Sequence, residues 1–287
     1  MDSTFVSVLR AGFRHVSTAG RYFGARPGHA GRMVDFEGFY RGGPLVEGMP
    51  DVGVPWDIGG PQPAVVEWEA AGRFRGHVLD AGCGTGDNAI FLAARGHRVT
   101  GVDIAPTAID IARSRAVGID PDSTPSGGRA APTPIIPARS DTSGDLTWAV
   151  GDAATLTGQF DTVLASALFH CLPPDRRPAL ARTLRNAAAD GAFLNLTCLA
   201  NLEAPFQVSE PELRTALTEA GWDITRFERG SVAVAGVPGL PTLPVWLVEA
   251  TAAKATATAT ATTPRADPAT PPSTRVSSDP GAAPRSR

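Results

Sequence analysis

Lysine is almost missing from this chain: among 26 basic residues Lys254 is the single one, the rest being arginine. With alanine and glycine abundant, the pattern reflects coding composition rather than function. Cysteine is scarce too. Cys83, Cys171 and Cys198 are odd in number and form no C-x-x-C pair, so neither a disulfide framework nor a metal site is expected, and a reducing cytoplasm is the expected location. No apolar run approaches the roughly 20 residues of a membrane span. The formal net charge of -3, without a basic stripe, argues against a phosphate-binding surface and so against a nucleic-acid partner. What remains is 287 residues, 43% of them hydrophobic, enough for one soluble domain with excess and expected to act as a monomer.

Three segments look unable to join a core. Residues 1 to 33 carry Arg10, Arg14, Arg21, Arg26 and Arg32 but no acid after Asp2. That is the composition of a transit peptide or of an extension without fixed structure, and the second reading is preferred because nothing else signals targeting. Residues 117 to 145 are rich in Pro, Gly, Ser and Asp, and residues 252 to 287 are Ala-Thr repeats followed by Pro, Ser and Arg. Such stretches bury too little apolar surface to offset chain entropy. The domain is therefore expected over 34 to 251, with 117 to 145 an insertion in it.

The most informative stretch is Val78-Leu-Asp-Ala-Gly-Cys-Gly-Thr-Gly-Asp-Asn88, an apolar strand that runs into three alternating glycines and then a helical pattern. Gly82, Gly84 and Gly86 permit a sharp turn and a close approach of backbone to ligand. Asp103, closing the next apolar strand, falls where a carboxylate can accept ribose hydroxyls. A dinucleotide would require G-x-G-x-x-G, with helix amides facing a pyrophosphate. Here Asp87 stands in the third-glycine position, and a carboxylate there repels a pyrophosphate; it suits a cofactor with ribose, adenine and a cationic amino-acid end.

Between Val34 and Thr251 short apolar runs alternate with helical patterns, the signature of a parallel sheet with crossover helices. Strands are expected near 77–80, 98–103, 146–150, 161–165, 192–198, 223–229 and 245–250. The helix before the sixth strand is the best marked: Ser209 and Glu212 form a capping box, Leu213, Ala216, Leu217 and Ala220 make one apolar stripe, and Gly221 can stop it. A hairpin is expected through Gly236-Val-Pro-Gly239.

Taken together, Val78–Gly86, Val99-Thr-Gly-Val-Asp-Ile104, Val150-Gly-Asp-Ala153 and Phe160-Asp-Thr-Val-Leu-Ala165 resemble, in order, the class I S-adenosylmethionine-dependent methyltransferases, over about 34 to 251. The resemblance implies an α/β, Rossmann-like fold: a seven-stranded, mostly parallel sheet with helices on both faces and an antiparallel last strand. It implies S-adenosyl-L-methionine as cofactor. Asp80 should orient the glycine loop or meet the methionyl amine, while Gly82, Cys83 and Gly84 pass against the methionyl and ribose portions. Asp103 should take the ribose hydroxyls, with Ile104 against the adenine. Asp152 should accept from the adenine amino group beside Ala153, although Gly-Asp is also turn chemistry. For Cys83, backbone packing is preferred to thiol chemistry, since no base or cation stands near it in sequence.

The segment Ser166-Ala-Leu-Phe-His-Cys-Leu172 lacks the Asn-Pro-Pro-aromatic motif of amide and exocyclic-amine methyltransferases. With Tyr40-Arg-Gly-Gly-Pro44, Pro55-Trp-Asp-Ile-Gly59 and Pro61-Gln-Pro63, it is similar to small-molecule methyltransferases of the thiopurine, halide, benzoquinone and heterocyclic-toxin type. In that group the N-terminal segment folds over the cofactor, which makes Tyr40, Trp56 and Phe169 candidates to cover the methyl donor and an aromatic acceptor. Trp56 has an equal claim as an anchor to the core. Ser166 and Asp57 are candidates to touch cofactor or substrate. His170 is a candidate general base, but a hydrogen-bonded structural histidine is slightly preferred because no partner is visible in sequence. The implied reaction is methyl transfer to O, S or N of a small aromatic molecule of the quinol, hydroxyquinolone or thiol type; the alternative is a cofactor-binding but catalytically inactive regulatory module.

Overall fold

The computed structural model describes residues 34–44, 53–116, 145–200, 208–235 and 241–253. The extension expected over 1–33, the insertion (apart from Asp145) and the tail from Lys254 onward lie outside the described residues, as does the hairpin tip at 236–239.

The order is α1 (Phe36–Tyr40), α2 (Pro63–Ala70), β1 (His77–Ala81), α3 (Asp87–Ala94), β2 (Arg98–Asp103), α4 (Pro106–Ala116), β3 (Leu146–Val150), β4 (Phe160–Ser166), α5 (Arg177–Ala187), β5 (Ala188–Leu199), α6 (Glu210–Glu219), β6 (Trp222–Ala233) and β7 (Thr242–Ala252). Short 3₁₀ turns stand at Ala153–Thr155 and Phe169–Cys171. The strands form one seven-stranded sheet in the order β3-β2-β1-β4-β5-β7-β6. β7 is antiparallel to both β5 and β6, and the other pairings are parallel. This is the expected architecture. The strand order reverses between β1 and β4, which places a ligand crevice beyond their carboxyl ends.

All seven expected strands are present, but the last three run longer. β5 starts directly at the end of α5, and a register shift between Phe160 and Thr162 separates the Phe160–Ala188 pair from the regular ladder beginning at Thr162–Phe193. β6 is an edge strand whose Asp223, Arg226, Glu228 and Arg229 keep it wet, and such charge blunts an edge. That polarity also conceals its full length from a search for apolar runs. β7 ends at Ala252, so the core includes a residue assigned by composition to the tail; the Val234 amide donates to the Pro241 carbonyl at 2.9 Å as the β6–β7 hairpin begins to close.

Both sheet faces are covered, as a parallel sheet requires. On one, Leu180 and Leu184 of α5 and Leu213 and Leu217 of α6 pack on Leu194, Leu196 and Trp222. On the other, Val65 and Trp68 of α2 and Phe91 and Leu92 of α3 pack on Val78, Val99 and Leu164. α6 starts and stops where its sequence implies, with the Ser209 side chain accepting from the Glu212 amide and Gly221 following at φ +90°, but only this half of the capping box forms, because the Glu212 carboxylate pairs with Arg177. No described helix is long and apolar enough to cross a membrane.

Candidate active site

Apolar β1 delivers Asp80 to the sheet's carboxyl end, and the chain then turns back through Gly82 at φ +71° and Gly84 at φ +54°. The Gly82 and Cys83 amides both donate to the Val102 carbonyl, at 2.7 and 3.0 Å, which ties the loop to β2. A Cβ at Gly82 would stand 2.8 Å from Leu168 Cδ1, and one at Gly84 would stand 2.9 Å from the Tyr40 hydroxyl. Side chains at these positions would fill the cleft and adopt a backbone conformation that costs L-residues about 1–2 kcal/mol.

Two carboxylates define the loop. Asp103 accepts from the Gly84 amide through Oδ2 and from the Ala105 amide through Oδ1, both at 2.9 Å. A carboxylate has about four acceptor sites, so two backbone donors are compatible with ribose recognition. Asp80 is buried at 1% exposure; the Ala89 amide, in the first turn of α3, bonds its carboxyl, while Oδ2 meets no hydrogen-bond partner among the described residues. Burial, and then the charges of Asp103 and Asp87, push its carboxyl up to about 7, with Ala89 opposing. An unpartnered buried oxygen is costly unless a ligand meets it. Together the narrow glycine cradle, Asp103 and this oxygen fit a ligand with ribose and a cationic amino-acid end.

The role of Asp87 changes once its surroundings are visible. It accepts from Arg115 at 2.8 Å and from the Thr85 hydroxyl at 3.0 Å, so its charge is partly answered from α4, although burial still raises its carboxyl above the usual range. Gly86 likewise has a packing reason: a Cβ there would lie 2.5 Å from the Trp148 ring, and one at Gly101 would meet the same ring at 2.5 Å. Cys83 is buried, with its thiol pushed well above its usual value by burial and by Asp80 and Asp103; that suits packing and not nucleophilic chemistry.

The N-terminal segment reaches this cleft. The Trp56 indole N–H donates to the Tyr40 hydroxyl at 2.9 Å, above Gly84. Phe36 and Phe39 pack against the same indole, with ring centroids 6.2 and 5.4 Å away. Burial, above all, keeps the Tyr40 phenol well above its ordinary range, so it stays neutral. Tyr40 and Trp56 thus come together beside the glycine loop. Side chains attach the segment at three points, and the Ala235 amide also donates to the Pro55 carbonyl at 2.7 Å. Glu37 accepts from the Thr107 amide and hydroxyl at 3.0 and 2.8 Å, at the start of α4. Asp57 pairs with Arg115, near the other end of α4. Gln62 is buried: its side chain exchanges hydrogen bonds with the Ala233 backbone at the end of β6 and donates to the Trp56 carbonyl, and its backbone amide donates to the Asn88 side-chain oxygen at 2.9 Å.

The segment after β4 departs from expectation. Phe169 is fully buried within the main core cluster, so it is not a lid residue; Leu168, one position earlier, is the side chain against Gly82. The 3₁₀ turn rotates Phe169 inward, a direction that sequence does not reveal. His170 is buried, and its Nδ1 accepts from the Leu199 amide at 3.2 Å, which leaves the ring proton on Nε2. Burial first, and then Arg177, push the imidazole down to about 3. A ring so weakly basic, with one nitrogen engaged by the backbone, is placed as a structural histidine and not as a base. Ser166 contacts the Thr197 hydroxyl at 3.3 Å, and Ala167 sits at φ +60°, with its amide donating to the Thr197 hydroxyl at 2.9 Å. Such a conformation in a non-glycine residue stores strain, as functional sites often do.

Asp152 caps the 3₁₀ turn after β3, accepting from the Ala154 amide at 2.9 Å; Ala153 is buried and Ile104 half-buried. The turn chemistry weighed for Asp152 is therefore realised, whatever else it contacts. A groove between α5 and α6, about 310 Å³, is lined by Arg177, Pro178, Glu212 and neighbours, and contains none of the residues described around the glycine loop. Sequence reasoning missed Arg115, Gln62, Glu37, Leu168 and Trp148 as site residues. Gln62 lies within the Pro61-Gln-Pro63 motif, and Asp87, an acid in a glycine position, is the one sequence signal that a cation should stand nearby.

Comparison with known proteins places these features in a family. Residues 78–191 match a family described as "Methyltransferase domain". The chain is 34% identical over 174 residues to a 2-heptyl-1-hydroxyquinolin-4(1H)-one methyltransferase of Mycobacteroides abscessus, covering 58% of this chain and 67% of that one. It is 24% identical to a probable thiol methyltransferase of Arabidopsis thaliana, covering 67% of this chain and 79% of the relative. A solved structure described as "Conversion of a Disulfide Bond into a Thioacetal Group during Echinomycin Biosynthesis" is 30% identical, with a TM-score of 0.60 over 76% of this chain and 90% of that chain.

Proposed function

This chain belongs to the class I S-adenosylmethionine-dependent methyltransferases, and from that premise we propose that it methylates an oxygen, sulfur or nitrogen atom of a small aromatic acceptor whose nucleophile ionises on its own near neutral pH. A hydroxyquinolone or a thiol is the acceptor class that the named relatives favour.

When bound, the cofactor supplies an electrophilic methyl group on a sulfonium. The residues of the chain hold and orient. Asp103 would take the ribose, Ile104, Asp152 and Ala153 would flank the adenine, and Asp80 would meet the ammonium. Gly82, Cys83 and Gly84 keep the backbone low beneath the ligand. Tyr40, Trp56 and Leu168 would present neutral, mostly apolar surface towards the reacting atoms and exclude water.

The observation that carries the acceptor assignment is the state of His170. With Nδ1 engaged by Leu199 and basicity pushed down to about 3, it is not placed to take a proton. Catalysis then rests on alignment, which can contribute about 7–11 kcal/mol, instead of on a general base, which typically supplies about 10²–10⁴-fold. An enzyme built this way serves acceptors that arrive deprotonated. The test incubates the purified chain with methyl-labelled cofactor and a panel of hydroxyquinolones, thiols, quinols and halides, with the products identified by mass spectrometry. Turnover that rises as acceptor pKa falls towards 7 is expected; preference for weakly acidic phenols or aliphatic alcohols would contradict the proposal.

A further inference from the structure

Arg115 belongs to none of the glycine-loop, ribose or adenine motifs, yet it joins two elements that a bound cofactor must bring together. Its guanidinium reaches Asp57 with NH2 to Oδ2 at 2.5 Å and NH1 to Oδ1 at 3.1 Å, a forked pairing of the kind that fixes direction as well as distance. NH1 also reaches Asp87 Oδ2 at 2.8 Å. Asp57 directly follows Trp56, whose indole N–H holds the Tyr40 hydroxyl over Gly84. Asp87 is the first residue of α3, immediately after the glycine loop, and Thr85 of that loop bonds the same Oδ2. One cation therefore clasps the aromatic cover to the floor it covers, and the three side chains are 19 to 33% exposed, so water can reach the clasp when the cover lifts.

We propose that Arg115 is a positioning residue whose clasp on Asp57 and Asp87 sets how long the cofactor stays beneath Tyr40 and Trp56, a role that rests on reading the cleft as the cofactor site. The Glu37–Thr107 and Gln62–Ala233 attachments keep the cover near the cleft without it, so loss of the clasp acts mainly on the open–closed balance. Exchange of product for fresh cofactor requires that the Asp57 arm part, while the Asp87 arm keeps Arg115 in place to recapture it. Asp57 has a second tie to its own turn, accepting from the Gly59 amide at 3.3 Å, so the turn stays formed as it moves.

The test measures the dissociation rate of S-adenosylhomocysteine by stopped flow for the wild type, Arg115→Ala, Arg115→Lys, Asp57→Asn and the Arg115→Ala/Asp57→Asn double variant, with thermal unfolding of each unliganded protein. Arg115→Ala and Asp57→Asn should each accelerate release about tenfold or more. The double variant should be no faster than the faster single one, because both remove one interaction. Arg115→Lys, which keeps the charge but lacks the planar fork that grips Asp57 at both oxygens, should fall between the wild type and Arg115→Ala. Unliganded melting temperatures should change by only a few degrees, and Asp57→Asn decides the matter if Arg115→Ala does not fold. If the wild type binds the product, release rates that the single substitutions leave unchanged, or that multiply in the double variant, would overturn the clasp alone. A wild-type chain that binds no S-adenosylhomocysteine would overturn the cofactor site, and the clasp with it.

Discussion

Asp80 offers the sharpest test, because its burial works against the fold while its charge serves the ligand. Its carboxyl stands at about 7 against an ordinary 3.8, raised by burial first and then by Asp103 and Asp87. Each tenfold change in proton affinity is worth about 1.36 kcal/mol, so ionised Asp80 costs the unliganded fold about 4 kcal/mol. Between pH 4 and 7 the folded chain holds this proton and the unfolded chain does not, so the contribution of Asp80 to stability falls as pH rises through that window and levels off above it. Asp80→Asn keeps the shape and an acceptor for Ala89 but removes the charge. In urea titrations of unliganded protein the variant should be more stable than the wild type at pH 8, by up to about 4 kcal/mol, and the two should converge towards pH 4. Calorimetry should show the variant binding S-adenosylmethionine about 10- to 150-fold more weakly, as expected for losing a charge-assisted bond of about 1.5–3 kcal/mol. Parallel pH curves, or a variant less stable at pH 8, would refute the buried-charge argument; unchanged affinity would refute the ammonium contact.

Asp103→Ala removes the acceptor of two backbone amides as well as the expected ribose partner, and should weaken cofactor binding at least about tenfold by calorimetry. His170→Ala leaves the Leu199 amide without its acceptor and should destabilise the fold by about 1–3 kcal/mol; its effect on turnover should be the same factor across acceptors of graded pKa, since steeper losses for weak acids would restore the base role. Gly101→Ala should cost about 1–3 kcal/mol in chemical denaturation through its clash with Trp148, and Trp148→Leu should recover most of the loss. Adenosine diphosphate, as a pyrophosphate probe, should bind no better to Asp87→Asn than to the wild type but measurably better to Asp80→Asn; the opposite order would return the selectivity to Asp87.

The fold was readable because its signals are local. The apolar runs of β1, β2 and β4, the glycine loop and the Ser209–Glu212 cap each follow from a few neighbouring residues. The same holds for Asp80 and Asp103, which a strand must carry to its carboxyl end. Direction was not readable. Whether Phe169 or Leu168 faces the cleft depends on one turn of 3₁₀ geometry, and whether His170 is basic depends on its burial and on Arg177, while its Nδ1 is engaged by an amide 29 residues away. Arg115 pairs with an aspartate 58 residues earlier, and no periodicity links such positions. Trp148 explains two glycines from an adjacent strand and the loop, a relation that exists only once β2 and β3 are side by side.

On the proposed reading, selectivity for a sulfonium cofactor over a dinucleotide lies with a different carboxylate from the one that the glycine pattern points to. Asp87 does replace a glycine, but Arg115 and Thr85 answer part of its charge, and it is the smaller of the two charges that raise Asp80, after Asp103. Asp80 is the opposite case: a buried oxygen without a partner, already opposed by the charge of Asp103, in surroundings where charge is weakly screened. A pyrophosphate brought there would add to that repulsion, whereas an ammonium would relieve it. On the proposed reading the same group would reject one cofactor and draw the other, and binding would offset the cost of its burial. The clasp at Arg115 complements this division. By pairing with Asp87 and Asp57 at the rim, it would offset part of their charge, leave the inner carboxylates to act on the ligand and turn the rim charges to holding the aromatic cover in place.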